Sequence, residues 1–128
     1  MAKNFDSPGN VIQHTADADI TSGQVVKIGN ILGVALVDIA DTATGSVAIE
    51  GVFRVPKVSA AVIAQGESLT WDVSANDGAG AFDDNLASPA PGDVTGPPAA
   101  AWEAAGNGAT TLLVKFTGVP GTVTAGGG

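Results

Sequence analysis

Hydrophobic and polar side chains alternate most regularly over residues 46–55. An alternation with a period of two residues is typical of a β-strand with one buried face. The side chains predicted on that face are Val47, Ile49, Gly51, Phe53 and Val55. Gly51 in mid-strand predicts a bulge or a sharp bend, and Pro56, which lacks a backbone N–H, predicts the end of the strand. We therefore expect a bent strand, of the kind that closes a small sheet.

Further short strands are predicted at Val11–Thr15 and over residues 24–28, 31–38 and 110–117, and Leu69 and Trp71 open another alternating segment. Residues 31–38 are nearly all apolar, so we expect both faces of that strand to be covered. Residues 58–64 are compatible with a turn or two of helix, and residues 99–105 with either a helix or a strand. The pattern predicts an all-β fold: a small single-domain barrel or sandwich of short strands.

One pattern of apolar residues and glycine occurs twice, as Ile20-x-x-Gly23-x-x-Val26-x-Ile28 and Ile63-x-x-Gly66-x-x-Leu69-x-Trp71. Each copy places an apolar residue before a turn glycine and an alternating strand after it. Two explanations are open: a duplicated β-unit, or the reuse of a turn that is common in β-proteins.

Three segments differ in composition from the alternating ones. Residues 1–10 form a predicted N-terminal arm with one aromatic residue, Phe5, and residues 118–128 a predicted flexible tail that ends in three glycines. Residues 76–98 are rich in Gly, Pro, Asp and Asn, and predict a long loop that leaves the barrel. The barrel domain is therefore expected over residues 11–117.

Composition narrows the classes of function. The 128 residues are 45% hydrophobic but only 5% aromatic, and 18 glycines and seven prolines favour short strands over long helices. A formal net charge of −8 opposes binding to nucleic acid or anionic lipid. The absence of cysteine excludes disulfides and thiolate metal sites. The first residues lack the apolar run of a secretory signal, so we expect synthesis in a cytoplasm.

Candidate chemistry is sparse. His14 is the only histidine, so a metal or acid–base site there would lack partners, and Asp83 and Asp84 do not have the spacing of a calcium loop. The serines lie in no nucleophile motif. Trp71 and Trp102 have strand-like surroundings, which favour packing in a core or a subunit interface. We predict no catalytic, cofactor or metal site, and hence a structural or binding role rather than an enzyme.

A series of short motifs resembles a known family, the capsid cement (decoration) proteins of tailed bacteriophages. The motifs are Met1-Ala-Lys-Asn-Phe5, Pro8-Gly-Asn10, Ser22-Gly23-Gln-Val-Val26, Gly33-Val-Ala-Leu36, Glu50-Gly-Val-Phe53-Arg-Val-Pro-Lys57, Ile63-Ala-Gln-Gly66, Leu69-Thr-Trp-Asp72, Ala101-Trp-Glu-Ala-Ala105 and Leu112-Leu-Val-Lys115. The resemblance covers residues 1–74 and 99–117. It implies a small β-barrel that assembles as a homotrimer on the outer surface of the capsid and clamps neighbouring major capsid proteins.

Two groups of residues are the predicted contacts with the capsid. Lys3, Asn4 and Phe5 lie in the arm, which can become ordered on a partner. Arg54 and Lys57 flank the strand-ending proline, where two of the five basic residues would meet an acidic capsid surface.

The alternative hypothesis is a virion- or surface-attached binding module that recognises a glycan or the host envelope through residues 76–98. Glycan arrays with and without that segment would distinguish the two, because a cement protein needs no signal that depends on it.

Overall fold

The computed structural model describes residues 3–4, 6–86 and 89–125. It confirms the all-β fold: beside one short 3₁₀ turn at Asn76–Gly78, the regular elements of these residues are strands. They are β1 (Val11–Thr15), β2 (Val25–Ile28), β3 (Ile31–Ala35), β4 (Thr44–Ala48), β5 (Glu50–Pro56), β6 (Thr70–Asp72), β7 (Ala81–Asp83), β8 (Val94–Thr95), β9 (Ala99–Ala101), β10 (Thr111–Thr117) and β11 (Thr122–Val123). None of the described residues belongs to a helix long and apolar enough to cross a membrane.

The strand predicted over residues 46–55 connects two sheets. It is divided into β4 and β5 by Ile49, and β4 belongs to a sheet of order β1-β4-β3-β2 while β5 belongs to one of order β5-β10-β9. Gly51 lies just after the break, with a φ of 130° that L side chains rarely adopt. Pro56 is the last residue of β5, as predicted. The bend therefore lets one alternating segment serve both sheets.

The second sheet repeats the first. An isolated bridge between Ser68 and Ala100 and the hydrogen bond from the Leu69 N–H to the Ala99 carbonyl (3.2 Å) place β6 beside β9. The order β5-β10-β9-β6 thus matches the order β1-β4-β3-β2, with antiparallel pairing between β5 and β10 as between β1 and β4. Each half of the chain folds into the same four-stranded unit.

The two turns that carry the repeated sequence pattern make the same hydrogen bonds. The Gly23 N–H donates to the Ala35 carbonyl and the Gly66 N–H to the Ala101 carbonyl, each at 2.8 Å. Both glycines have positive φ, 89° and 84°. Of the two explanations left open by the sequence, the structure supports a duplicated β-unit, because a shared turn alone would not reproduce the strand order.

The apolar anchors that precede these turns are also equivalent. Ile20 exchanges two backbone hydrogen bonds with Ile39, each at 2.8 Å, and Ile63 exchanges two with Ala105, at 2.8 and 3.0 Å. Both isoleucines are buried. The two units therefore match in these backbone bridges as well as in their turns.

Residues 76–98, which were predicted to form a loop, are an insertion into the second unit, and some of their side chains belong to the core. They contribute β7 and β8, which pair with β6, and Phe82 and Val94 have 0% exposure. Phe82 packs edge-to-face against Trp71 and Phe116, with ring centroids 4.9 and 5.9 Å apart. A parallel bridge between Lys57 and Phe82 connects β7 to the end of β5. The insertion thus closes the second unit around an aromatic core.

The carboxylate of Asp93, which is 1% exposed, fastens this insertion to the sheet. It accepts hydrogen bonds from the Val73 N–H at 3.1 Å and the Ala90 N–H at 3.0 Å.

The C-terminal segment pairs with the rest of the fold. β11 pairs with β8, and the Gly121 N–H donates to the Asn30 carbonyl at 2.7 Å. Residues 126–128 lie outside the described residues.

Two local expectations change, and one that was left open is decided. The apolar segment 31–38 is a strand only as far as Ala35, and Leu36 and Val37 are exposed because they lie in the turn that follows. Residues 58–64 form a turn and a bridge instead of a helix, since Ile63 pairs with Ala105. Of the two structures left open for residues 99–105, the strand is correct, over Ala99–Ala101.

Candidate contact surface

The outer face of β5, β10 and β9 combines apolar and cationic side chains. Along β10, Leu112, Val114 and Phe116 point into the core with 0% exposure. Leu113 and Lys115 therefore point outward, because side chains alternate along a strand. Pairing with β5 and β9 extends this outer face in both directions.

Two rows of side chains cross the face. Arg54 is the register partner of Leu113, and the Trp102 N–H donates to the Leu113 carbonyl at 3.0 Å, so these three residues form the first row. Val52, Lys115 and Ala100 form the second row. We call this set of six residues the outer face.

Trp102 is the most prominent residue of the outer face. It is 52% exposed, and its carbonyl accepts a hydrogen bond from Gln65 Nε2 at 3.3 Å. Its side chain borders a shallow concavity lined also by Gln65, Gly66 and Ala101. A half-exposed tryptophan on a rigid strand end is typical of residues that dominate the binding energy of interfaces.

The outer face carries two basic side chains, Arg54 and Lys115, and the carboxylate of Glu103 lies beside the first of them. Arg54 and Lys115 are two of the five basic residues in a chain of net charge −8. Arg54 Nη2 lies 3.3 Å from Glu103 Oε1, which also accepts the Leu113 N–H at 3.2 Å. Because the Arg54 and Glu103 side chains are 54% and 39% exposed, this ion pair orients the guanidinium group but adds little stability.

The model of the phage cement protein family matches residues 7–116. The chain belongs to the phage cement protein family. A comparison with curated proteins found no match. Membership gives the chain a structural role at the phage capsid, which agrees with the resemblance of its motifs.

The residues predicted to contact the capsid do not form one cluster in this cement protein. Arg54 belongs to the outer face, and Lys3 and Asn4 are exposed in the arm, while Phe5 lies outside the described residues.

Lys57, which was paired with Arg54 in the prediction, lies inside the fold and is 4% exposed. Its Nζ donates to the carbonyls of Val58, Ser59 and Ala109, at 2.8, 3.2 and 3.1 Å. The reason is that side chains alternate along the chain, so Lys57 lies on the same inner side as Val55, and its N–H still donates to the Thr110 carbonyl at 2.8 Å. The ammonium group therefore faces backbone oxygens instead of a partner surface.

Asp83 and Asp84, the acidic residues considered for cation binding, lie at the end of β7. Burial raises the pKa of Asp83 above its ordinary value, and the neighbouring carboxylates of Asp84 and Asp72 raise it further, although the Asp84 N–H hydrogen bond opposes this. Within residues 3–4, 6–86 and 89–125, no group of three or more His, Cys, Asp or Glu side chains is placed to hold a metal ion.

Sequence reasoning missed most of the outer face. The sequence did not separate the two tryptophans, for which it predicted packing in a core or a subunit interface: Trp71 is 5% exposed and lies in the core, and Trp102 is 52% exposed. The alternation along residues 111–117 does carry the signal, because it separates Leu113 and Lys115 from their buried neighbours. What the sequence could not provide is the cross-strand register that brings Arg54, Leu113 and Trp102 together.

Proposed function

We propose that this cement protein binds the outer surface of the phage head and stabilises the contacts between neighbouring major capsid proteins. The observation that carries the proposal is the outer face, where an exposed tryptophan lies in one row with an arginine. Tryptophan and arginine are the residues most enriched among those that dominate binding energy.

The charge of the outer face fits a capsid surface that presents carboxylates. Arg54 and Lys115 would approach such a surface from a protein that is otherwise acidic, so this face would be favoured over others in the encounter. The apolar part, Trp102, Leu113 and Val52, supplies the desolvated centre that interfaces need.

The number of copies adds to the strength of attachment. A homotrimer, with its arms at Lys3, Asn4 and Phe5, would contact several capsid proteins at once. Linked contacts give avidity that exceeds the affinity of any single one, and closed symmetry prevents the assembly from growing into fibres. A shell held in this way would separate only if these contacts also broke.

The test is a titration of expanded heads of its own phage, prepared without the protein, measured by co-sedimentation. We expect Trp102→Ala to weaken binding by roughly 30-fold per site, the equivalent of about 2 kcal/mol for an anchoring tryptophan. Arg54→Glu should also weaken binding, and by a larger factor at low salt than at high salt, because salt screens interactions between charges.

Val119→Ala is the control, because Val119 is 46% exposed and is not one of the six residues of the outer face. It should bind like the unmodified protein. Unchanged binding of both Trp102→Ala and Arg54→Glu would refute the assignment of the outer face, and a failure of the unmodified protein to bind heads would refute the proposed function itself.

A further inference from the structure

The turn before β10 contains a pair of residues with chemistry of its own, Asn107-Gly108. Asn107 is the one asparagine of this sequence that a glycine follows, and both residues are exposed. Because glycine has no side chain, its backbone nitrogen approaches the side-chain amide of a preceding asparagine more easily than the nitrogen of any other residue. The pair is therefore a candidate for spontaneous deamidation.

The reaction needs only the protein and water. The Gly108 nitrogen forms a bond to Asn107 Cγ, the bond from Cγ to the side-chain nitrogen breaks, and that nitrogen leaves as ammonia with the proton that Gly108 gives up. Water then opens the resulting succinimide ring at one of its two carbonyls. The products are aspartate, which adds a negative charge to the turn, and isoaspartate, which also lengthens the backbone.

The structure holds the attacking nitrogen on an acceptor. The Gly108 N–H donates to the Ser59 carbonyl at 2.7 Å, and the Ala109 N–H donates to the Gly106 carbonyl at 3.2 Å. The Gly108 nitrogen must lose its proton and turn toward the Asn107 side chain, and the bond to Ser59 opposes both changes. Deamidation therefore requires the turn to open first.

The ammonium group of Lys57 holds the turn on both sides of Gly108. Its Nζ donates to the Ser59 carbonyl at 3.2 Å, which is the acceptor of the Gly108 N–H, and to the carbonyl of Ala109, the next residue, at 3.1 Å. Hydrogen bonds from a charged donor are stronger than those between neutral groups. Opening of the turn thus also breaks a contact to this ammonium group.

The first unit shows that the fold does not need a charge at this position. The Ala16 N–H donates to the Ala43 carbonyl at 2.9 Å, as the Lys57 N–H donates to the Thr110 carbonyl at 2.8 Å. Ala16 is therefore the counterpart of Lys57, and both residues are buried. Since burial of a charge is costly, the lysine requires a reason that the second unit has and the first does not.

The turn that Lys57 holds is the longer of the two. From the bridge residue Ile39, the first unit reaches Ala43 through three residues, whereas the second unit reaches Thr110 from Ala105 through four. The longer turn is also the one that contains the asparagine–glycine pair. The buried lysine therefore accompanies the reactive turn.

We propose that Asn107 is a site of spontaneous deamidation and that Lys57 is the positioning residue that keeps the reaction slow. The turn leads into β10, which carries Leu113 and Lys115 of the outer face. A charge or a backbone atom added at Asn107 would fall just before that strand. This inference is independent of the capsid assignment.

The first test compares the full-length protein with a peptide of residues 104–111 in a mildly alkaline buffer. Peptide mapping by mass spectrometry would follow the conversion of Asn107 to aspartate and isoaspartate. We expect conversion at least about tenfold slower in the protein, because only the fraction of molecules with an open turn reacts. Equal rates in the protein and the peptide would overturn the proposal, and this comparison needs no variant.

The second test assigns the effect to Lys57. We expect Lys57→Met to speed the conversion of Asn107 by about fivefold or more and to speed hydrogen exchange of the Gly108 amide by a similar factor, because the turn loses a charged donor. Asn30 and Asn85, which no glycine follows, are internal references within the same samples. An unchanged rate at Asn107 in Lys57→Met would refute the role of the lysine.

The control for a general loss of stability is Ile39→Ala, which truncates a buried side chain of the first unit and leaves the contacts of Lys57 in place. Thermal unfolding would show that both variants are folded at the temperature of the assay. Ile39→Ala should leave the conversion of Asn107 unchanged. An acceleration equal to that of Lys57→Met would mean that global unfolding controls the reaction, and the proposal would be wrong.

Discussion

Replacement of Phe82 by alanine tests whether the insertion over residues 76–98 is part of the core. Phe82 has 0% exposure and contacts the rings of Trp71 and Phe116. Truncation of a buried phenylalanine costs about 3–5 kcal/mol in lost transfer energy and residual cavity. Phe82→Ala also removes two edge-to-face ring contacts, so we expect a loss of stability near the upper end of this range.

A loss of this size is a large part of the total, because domains of this size are stable by about 5–15 kcal/mol. For 128 residues the entropy of unfolding converts 1 kcal/mol to about 4 °C, so the melting temperature should fall by roughly 12–20 °C. Differential scanning calorimetry and urea denaturation followed by tryptophan fluorescence would measure both quantities.

The control is Val62→Ala at a 66% exposed position, for which we expect a change of less than about 0.5 kcal/mol. A loss below about 1 kcal/mol for Phe82→Ala would refute the reasoning, because it would mean that β7 does not close the second unit.

Two further predictions concern charged groups. Lys57→Met should destabilise the protein by about 2–3 kcal/mol, since three backbone carbonyls lose a charged donor, whereas the exposed Arg54→Met should cost less than about 1 kcal/mol; equal losses in urea denaturation would contradict this. The raised pKa of Asp83 means that the folded state holds this proton more tightly than the unfolded state, so its contribution to stability is present below the ordinary value of 3.8 and is lost as the pH rises through the folded pKa. Asp83→Asn should therefore gain stability relative to the unmodified protein as the pH rises through that window, and a difference that does not change with pH would exclude the effect.

Local patterns predicted the strands well, and the reason is that their causes are local. The alternation over residues 46–55, the bend near Gly51 and the end at Pro56 all depend on the preferences of neighbouring residues. The repeated turn pattern left open both a duplicated unit and the reuse of a common turn, but it did predict the turn glycines, since Gly23 and Gly66 both have positive φ.

Features that depend on pairing between distant segments were not predictable from those patterns. Residues 76–98 have the composition of a loop, yet Phe82 and Val94 are core residues because β7 and β8 pair with β6. Lys57 was predicted as a surface charge, but its Nζ donates to the carbonyls of Val58 and Ser59 and to that of the distant Ala109. Arg54 and Trp102 similarly lie in one row only because β10 pairs between their two segments.

The central claim is that this protein acts as a cement, and the temperature at which expanded heads disrupt measures that property directly. Light scattering of heads without the protein should show disruption at a temperature that rises as the protein is added, because a molecule that binds only the intact shell stabilises it by mass action. Trp102→Ala should require a higher concentration to reach the same rise. Saturating binding of the protein with no change in the disruption temperature would contradict the account.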